Sequence, residues 1–384
     1  MHIRSTLATA AVAALTVTGV GAMTGPALAA PPAKATYIVT LAPGSAPAAV
    51  AQLAAGRLGG HVDHVYTAAL TGFAVTVPTA LADRLATLPG VASVEPDAPV
   101  HLAQTGATWG LDRIDQRARQ LNGNYVYTAT GSGVTAYVID TGIAFGHADL
   151  GARAVSGYDA VDGGSADDCN GHGTHVSGTI GGTTYGVAKG VALVGVRVLD
   201  CAGSGTNAGV IAGIDWVTAD HAAGAPAVAN MSLGGGASTA LDQAVQRSIA
   251  DGVTYAVAAG NGNSAGVPQN ACNSSPARVA GALTVGASDR NDAPASFSNY
   301  GSCVDLFAPG VGITSDWYTA TTATNTISGT SMATPHVAGV AALYLQTHPT
   351  ASPAAVSSAV LALTTKDAVK TSKTANNDLL FTDY

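Results

Sequence analysis

The stretch Val134-Thr135-Ala136-Tyr137-Val138-Ile139-Asp140-Thr141-Gly142 decides how the chain is read. An apolar run of strand length ends on a carboxylate and a Thr-Gly turn. It lacks the alternation of a strand with one face in water, so it predicts a strand covered on both faces. Apolar runs of the same kind recur at 191–199, 227–233, 253–259 and 283–287, and helical patterns fill 173–180, 207–221 and 239–250. Buried strands alternating with helices predict an α/β domain, a parallel sheet covered by helices on both faces. In such sheets the site lies at the carboxyl ends of the strands, where Asp140 stands. No repeat of 20–50 residues is visible.

Two further segments carry chemistry. Asn170-Gly171-His172-Gly173-Thr174-His175 places a histidine between glycines at a helix start. Ser328-Gly329-Thr330-Ser331-Met332-Ala333-Thr334-Pro335-His336 places Ser331 at the opening of a long helix, with Pro335 expected in its first turn. A serine there offers its hydroxyl to a cleft, while nearby N–H groups and the helix dipole favour an oxyanion. Each segment has a plainer reading: Asp140 and the Thr330-Ser331 pair as helix caps, His175 as a packed helix residue. His172 and His175 have a spacing compatible with metal ligation, but Gly173 stands where H-E-x-x-H needs its glutamate. Ala333 stands where the hydrolase elbow G-x-S-x-G needs its last glycine.

Composition sets the bounds. The chain has 384 residues, 16 Lys+Arg against 24 Asp+Glu, and a net charge of −8. Only 10% of residues are charged and 47% are hydrophobic, which excludes a disordered chain and supplies a large core. No basic stripe suits nucleic acid and no basic run suits an anionic membrane. Glu95 is the single glutamate. His2 and Arg4 precede an apolar stretch, and Ala27-Leu28-Ala29 follows as a small-x-small signal, so residues 1–29 read as a secretory signal peptide. A transmembrane anchor is the rival reading, weakened by the short, Thr/Gly-diluted stretch. Cys169, Cys201, Cys272 and Cys303 suit disulfides in a secreted chain, with three pairings open; no C-x-x-C suggests a metal site.

Residues 30–101 form a separate unit. Strand patterns at 37–41, 70–77 and 91–94 alternate with helical ones at 46–58 and from Thr79 to Leu88, where Thr79 is the expected cap. The order fits a small α+β, ferredoxin-like fold. Pro96-Asp97-Ala98-Pro99-Val100-His101 follows as an extended, exposed tail.

The chain order Asp, His, Ser separates this sequence from the other serine-hydrolase orders. The three segments, with Trp109-Gly110-Leu111-Asp112-Arg113-Ile114, Asn230-Met231-Ser232-Leu233-Gly234 and Ala258-Ala259-Gly260-Asn261, closely resemble the subtilisin-like serine protease family. The likeness is to its proteinase K and aqualysin branch, and residues 35–100 resemble the family's inhibitory propeptide. The resemblance implies an endopeptidase domain over 102–384, with Ser331 as nucleophile, His172 as base, Asp140 as its orienter, and Asn261 with the Ser331 N–H as oxyanion donors. It implies an extended substrate between Gly203-Ser204-Gly205 and Ser232-Leu233-Gly234, and a pocket walled by Leu233, Gly234, Ala258, Ala259 and Gly260. Those walls are small and uncharged, so apolar or aromatic side chains are expected before the cut. It further implies Cys169–Cys201 and Cys272–Cys303 bridges, and structural calcium. One calcium would lie at Asp112, Asp115, Gln116, Asn122 and Asn124; a second would lie at Asp305 with the Ala280 and Ala282 carbonyls. Pairing of Asp112 and Asp115 with Arg113, Arg117 or Arg119 is the alternative at the first. The expected product is a secreted, monomeric, self-processed enzyme acting on proteins and peptides, with its propeptide as intramolecular inhibitor. Self-cleavage is expected near His101 to Ala103. The rival functions are an inactive binding relative and a metallohydrolase built on His172 and His175.

Overall fold

The structure, a computed structural model, describes residues 33–102, 109–371 and 373–384; the leader at 1–29 and Ala103 lie outside them. The N-terminal unit contains β1 (Lys34–Leu41), α1 (Pro47–Leu58), β2 (His61–Tyr66), β3 (Gly72–Pro78) and β4 (Val91–Pro96) in an antiparallel sheet of order β2-β3-β1-β4. Pro47 supplies a preset φ at the start of α1, and Gly59 ends it at φ 64°. Val39, Leu41, Ala51, Ala54, Phe73 and Val75 form its own buried core. The helix expected from Thr79 is instead a 3-10 helix, Thr79–Thr87. Thr79 does not cap it: its hydroxyl donates to the Ala33 carbonyl, so the cap is spent on tying down the N-terminal strand.

The larger domain is built on seven strands in the order β15-β14-β12-β10-β6-β8-β7, all paired in parallel. They are β6 (Thr135–Asp140), β7 (Ala154–Asp159), β8 (Ala192–Arg197), β10 (Ala227–Met231), β12 (Thr254–Ala258), β14 (Leu283–Ser288) and β15 (Leu306–Pro309). Period two then assigns the faces. Val138 packs with residues of α3 (His172–Gly181), α6 (Thr330–Thr347) and α7 (Pro353–Leu363). Its neighbours Tyr137 and Ile139 pack with α4 (Asn207–Asp220) and α5 (Thr239–Asp251) on the other side. The edge strands β7 and β15 were not anticipated. A short α2 (Gly110–Ile114) precedes the sheet, and β16 (Ile313–Asp316) pairs with β17 (Thr324–Ile327).

Helix α6 is buried from Thr330 through Leu343. A Cβ on Gly339 would lie 2.6 Å from Val187 Cβ, so only glycine lets α6 approach that segment. Pro335 lies in the second turn of α6 rather than the first. It cannot donate to the Ser331 carbonyl four residues back. The Ser232 hydroxyl takes that carbonyl at 2.8 Å instead.

The N-terminal unit sits on α4 and α5: Ile38, Tyr66, Leu70 and Ala74 join the core of that face. Carboxylates on backbone N–H groups fasten the contact. Asp215 of α4 accepts from Thr67, Ala68 and Ala69 at 2.7–3.1 Å. Asp97 accepts from Ala208 at 2.8 Å, at the start of α4. The tail after Asp97 is extended as expected, but it is paired rather than left exposed. Its strand β5 (Pro99–Leu102) runs antiparallel between β9 (Ser204–Thr206) and β11 (Leu233–Gly236). With β13 (Ser274–Ser275) beyond β11, the four strands line a cleft at the carboxyl end of the large sheet.

Candidate active site

Asp140 is the last residue of β6 and is fully buried. Its Oδ1 accepts the Thr141 N–H at 2.8 Å and stands 2.7 Å from His172 Nδ1. A carboxylate only accepts, so Nδ1 carries the hydrogen and Nε2 holds the ring's lone pair. His172 Nε2 is buried with no hydrogen-bond partner. His172 opens α3 from Gly171, whose φ of 108° suits glycine. A side chain there would also strike Trp317.

Asp168 holds this turn, and the sequence reading missed it. One carboxylate oxygen accepts from Asn170 N–H at 2.9 Å, Gly171 N–H at 2.8 Å and Thr141 Oγ1 at 3.0 Å. The other accepts the Thr174 N–H at 2.9 Å. It thus ties the residue after Asp140 to the residues on both sides of His172. The Cys169–Cys201 bridge lies beside it and joins the His172 turn to the loop leading into β9. The structure also joins Cys272 to Cys303. His175 is turned away: its Nε2 bonds the Ile313 carbonyl at 3.0 Å, and burial depresses its pKa to about 3. A site ligated by His172 and His175 together is therefore not favoured.

Ser331 is the second residue of α6 and lines a cleft of about 540 Å³ together with Ser232, Leu233, Gly234, Ala258, Ala259, Gly260 and Asn261. Its hydroxyl donates to the Ser232 carbonyl at 3.0 Å. Asn261 Oδ1 accepts from both the N–H and the hydroxyl of Thr330, each at 2.8 Å. This turns its amide over and leaves Nδ2 buried without a partner. Gly260, at φ 95°, makes the bend before it, where a side chain would meet Asn299 Nδ2 at 2.5 Å. Gly236, Asn263, Ser264, Ser274, Ala277 and Asn299 also line the cleft and were not anticipated; every lining residue is uncharged. Ser204 and Gly205 belong to β9, and Gly203 makes the turn before it, its N–H bonded to the Asp200 carbonyl at 2.9 Å.

The residues considered for calcium fall in two places. Asp112 accepts the N–H groups of Asn122 and Gly123 at 3.1 and 2.7 Å, Asn122 Nδ2 donates to Gln116 Oε1 at 2.9 Å, and Asn124 N–H donates to Asn122 Oδ1 at 2.9 Å. Asp115 Oδ2 accepts from Val126 at 2.6 Å while its Oδ1 is buried and unpartnered. Burial, then the Asp112 charge, raise its pKa. Arg113 pairs with Asp292 at 2.8 Å and donates to the Gln116 carbonyl at 2.6 Å, and Arg117 bonds the Leu363 carbonyl, so neither pairs with the Asp112 or Asp115 carboxylate. An oxygen-only loop with an orphaned carboxylate oxygen fits a hard cation. Asp305 accepts the Thr284 N–H at 2.8 Å, and burial pushes its carboxyl up to about 6. Ala280 and Ala282 lie just before β14, the strand that pairs with β15 beyond Asp305.

A carboxylate–histidine pair and a helix-start serine thus lie at the rim of a doubly covered parallel sheet, a set of groups with the chemistry of a nucleophile, a base and its orienter. The subtilase family profile matches residues 131–380, and a peptidase inhibitor I9 profile matches 36–103. The chain is 61% identical to an extracellular serine proteinase of Thermus sp. (strain Rt41A) over 333 residues, 86% of this chain and 80% of that one. It is 56% identical over 292 residues to alkaline serine exoprotease A of Vibrio alginolyticus, covering 76% of this chain and about half (53%) of that one. The crystal structure of a cold adapted subtilisin-like serine proteinase superposes with a TM-score of 0.68 at 55% identity, over 72% of this chain and 98% of that one. The chain belongs to the subtilase family, a serine endopeptidase preceded by an inhibitor-type propeptide.

Proposed function

We propose that this chain is the zymogen of a secreted endopeptidase in which Asp140, His172 and Ser331 form the catalytic triad and Asn261 the oxyanion hole. The observation that carries the reading is the Asn261 amide: its acceptor is used up by Thr330, so only a donor faces the cleft beside Ser331. That arrangement stabilises charge that develops on a substrate oxygen. His172 Nε2 takes the Ser331 proton as Oγ attacks the scissile carbonyl, and Asp140 fixes the tautomer and stabilises the imidazolium. The tetrahedral oxyanion is held by Asn261 Nδ2 and the Ser331 N–H. His172 then gives the proton to the leaving amine, and water releases the acyl group by the same steps.

The uncharged cleft favours apolar or aromatic side chains before the cut. Backbone pairing by β9 and β11 makes recognition tolerant of sequence elsewhere. The propeptide, residues 30–101, occupies those two edges with β5 and is cut by Ser331 near His101 to Ala103. A fluorophosphonate probe tests the core of this reading. The wild type labels at Ser331, and Ser331→Ala accumulates unlabelled as residues 30–384. Efficient maturation of that variant expressed without other proteases would overturn self-cleavage.

Two structural calcium ions complete the proposal, one held by Asp112, Asp115, Gln116, Asn122 and Asn124, the other by Asp305 with the Ala280 and Ala282 carbonyls. An ion bound only by the folded chain raises its melting temperature by mass action. Chelation lowers that temperature and leaves initial turnover nearly unchanged. Asp115→Asn and Asp305→Asn each blunt the response. An unchanged melt in excess chelator, with no metal by elemental analysis, would defeat this part.

A further inference from the structure

Beneath α3, away from the cleft, Asp316 ends β16 with its side chain fully buried, and neither carboxylate oxygen has a hydrogen-bond partner. The hydroxyl of Ser315 beside it is also buried and unpartnered. An ionised carboxylate in this state is expensive unless something cationic meets it. The nearby basic groups are committed elsewhere. Arg153 donates to the Gly181, Val191 and Asp149 carbonyls and to Thr183 Oγ1; Lys189 donates to the Thr183 and Thr184 carbonyls.

The other groups turned toward Asp316 are acceptors. His147 Nε2 is 2.9 Å from the Ala323 carbonyl, so it carries the hydrogen, and Nδ1 presents a lone pair. That nitrogen takes the Asp149 N–H at 3.3 Å and faces Asp316 Oδ1 at 3.5 Å. Asp149 Oδ1 accepts the Thr184 N–H at 2.9 Å, and its Oδ2 accepts from Thr184 and Tyr185 at 3.1 and 3.4 Å. Two glycines of the α3 segment leave the space. A Cβ on Gly178 would collide with Ser315 Oγ and stand 2.7 Å from Asp316 Oδ2. One on Gly182 would collide with Asp149 Oδ2 and stand 3.3 Å from Asp316 Oδ2 and 2.7 Å from the Gly178 carbonyl oxygen. Asp316 Oδ2 thus stands between Ser315 Oγ on the Gly178 side and Asp149 Oδ2 on the Gly182 side, where the Gly178 carbonyl oxygen also lies while accepting the Gly182 N–H at 2.8 Å.

We propose that Asp316, Asp149 and Ser315 form a binding site for a hard divalent cation, of calcium type, between α3 and the β16–β17 hairpin. A proton can satisfy one oxygen of Asp316; a divalent ion satisfies both carboxylates at once, and carboxylate, hydroxyl and carbonyl oxygens are the donors such an ion takes. Burial, then the Asp149 charge, push the Asp316 carboxyl up to about 8, a direction that a bound cation reverses. Arg153 opposes that push, and Tyr185 is the remaining titratable neighbour. The site shares no residue with the loop at Asp112 or with Asp305, and does not rest on either. It has a route to the catalytic helix: Trp317, next to Asp316, packs over Gly171 and against His175, with ring centroids 6.5 Å apart.

The test uses the full chain with Ser331→Ala, which prevents self-digestion. Bound calcium is counted by native mass spectrometry, and melts are recorded with calcium and with chelator, for this chain and for the same chain carrying Asp316→Asn. The expected result is one ion fewer per chain, a smaller calcium-induced rise in melting temperature, and a melt in chelator close to the parent's, because asparagine keeps the shape of the side chain without its charge. Equal ion counts and equal calcium responses in the two chains would overturn the proposal. Should Asp316→Asn not fold, Asp149→Asn reads the same count, with one ion fewer supporting the site and an unchanged count refuting it.

Discussion

Glu95 Oε1 accepts the Ala240 N–H at 2.8 Å, and its other oxygen accepts the Thr239 N–H at 2.8 Å, so the propeptide's carboxylate closes the N-terminus of α5. Ser238 bonds the same carboxylate while capping the helix at Leu241 N–H. A negative charge here gains from both the hydrogen bonds and the helix dipole. Glu95→Ala should weaken the hold of propeptide on enzyme by about 1–2 kcal/mol, roughly five- to thirtyfold. The check is the inhibition constant of the cleaved propeptide for its enzyme, wild type against variant. An unchanged constant would show the contact to be incidental.

Asn261→Ala should lower kcat by about 10²–10³ with little change in KM, the loss that removing this donor causes in subtilisin itself. The variant should still process its propeptide, slowly. A change in KM with kcat intact would mean that Asn261 acts on bound substrate rather than on the oxyanion.

The Cys169–Cys201 bridge closes a span of 32 residues. Chain entropy puts its contribution at about 3–4 kcal/mol as an upper guide. Cys169→Ser/Cys201→Ser should lower stability by up to that amount in denaturant melts. It should also reduce kcat, because the bridge braces the turn that carries His172. The matching Cys272→Ser/Cys303→Ser pair should cost stability with less effect on kcat. Equal kinetic losses from both pairs would remove the bracing argument.

Acid should destabilise this protein through histidines outside the reaction. Burial depresses His175 to about 3 and His336 to about 4, while both titrate near 6.5 when unfolded. Between those values the unfolded chain binds more protons, so stability is present above about pH 6.5 and is lost as pH falls through 4 toward 3. His336→Asn should flatten this slope in denaturant titrations of the Ser331→Ala chain from pH 7 to 4. A slope unaffected by the change would assign acid lability to other groups.

What the sequence disclosed and withheld follows from where each signal lives. Asp140, His172 and Ser331 were legible because each sits at the end or start of an element that its own neighbours specify: an apolar run, a glycine pair, a helical pattern. Strand β7, Ala154–Asp159, was not, since its edge position leaves Val155 and Ser156 exposed and breaks the apolar run. Asp168, Asp215 and Glu95 were not either. Their partners are mainly backbone N–H groups, which nearly every residue carries, and for Asp215 they lie up to 148 positions away. The residues lining the cleft beyond Gly260 come from separate loops that only the folded sheet gathers.

If substrate takes the place that β5 holds in the cleft, as proposed above, the slot also sets what kind of chain the enzyme can take. A slot between two strand edges accepts only a segment that has surrendered its own secondary structure, since the N–H and C=O groups that β9 and β11 use are those that a helix or sheet keeps for itself. Susceptibility to this enzyme then tracks how readily a stretch of the target unravels more than which residues it contains. A well-folded protein is spared, a frayed one is cut at its loosest loop, and the mature enzyme is protected from its own copies to the degree that its loops stay pinned.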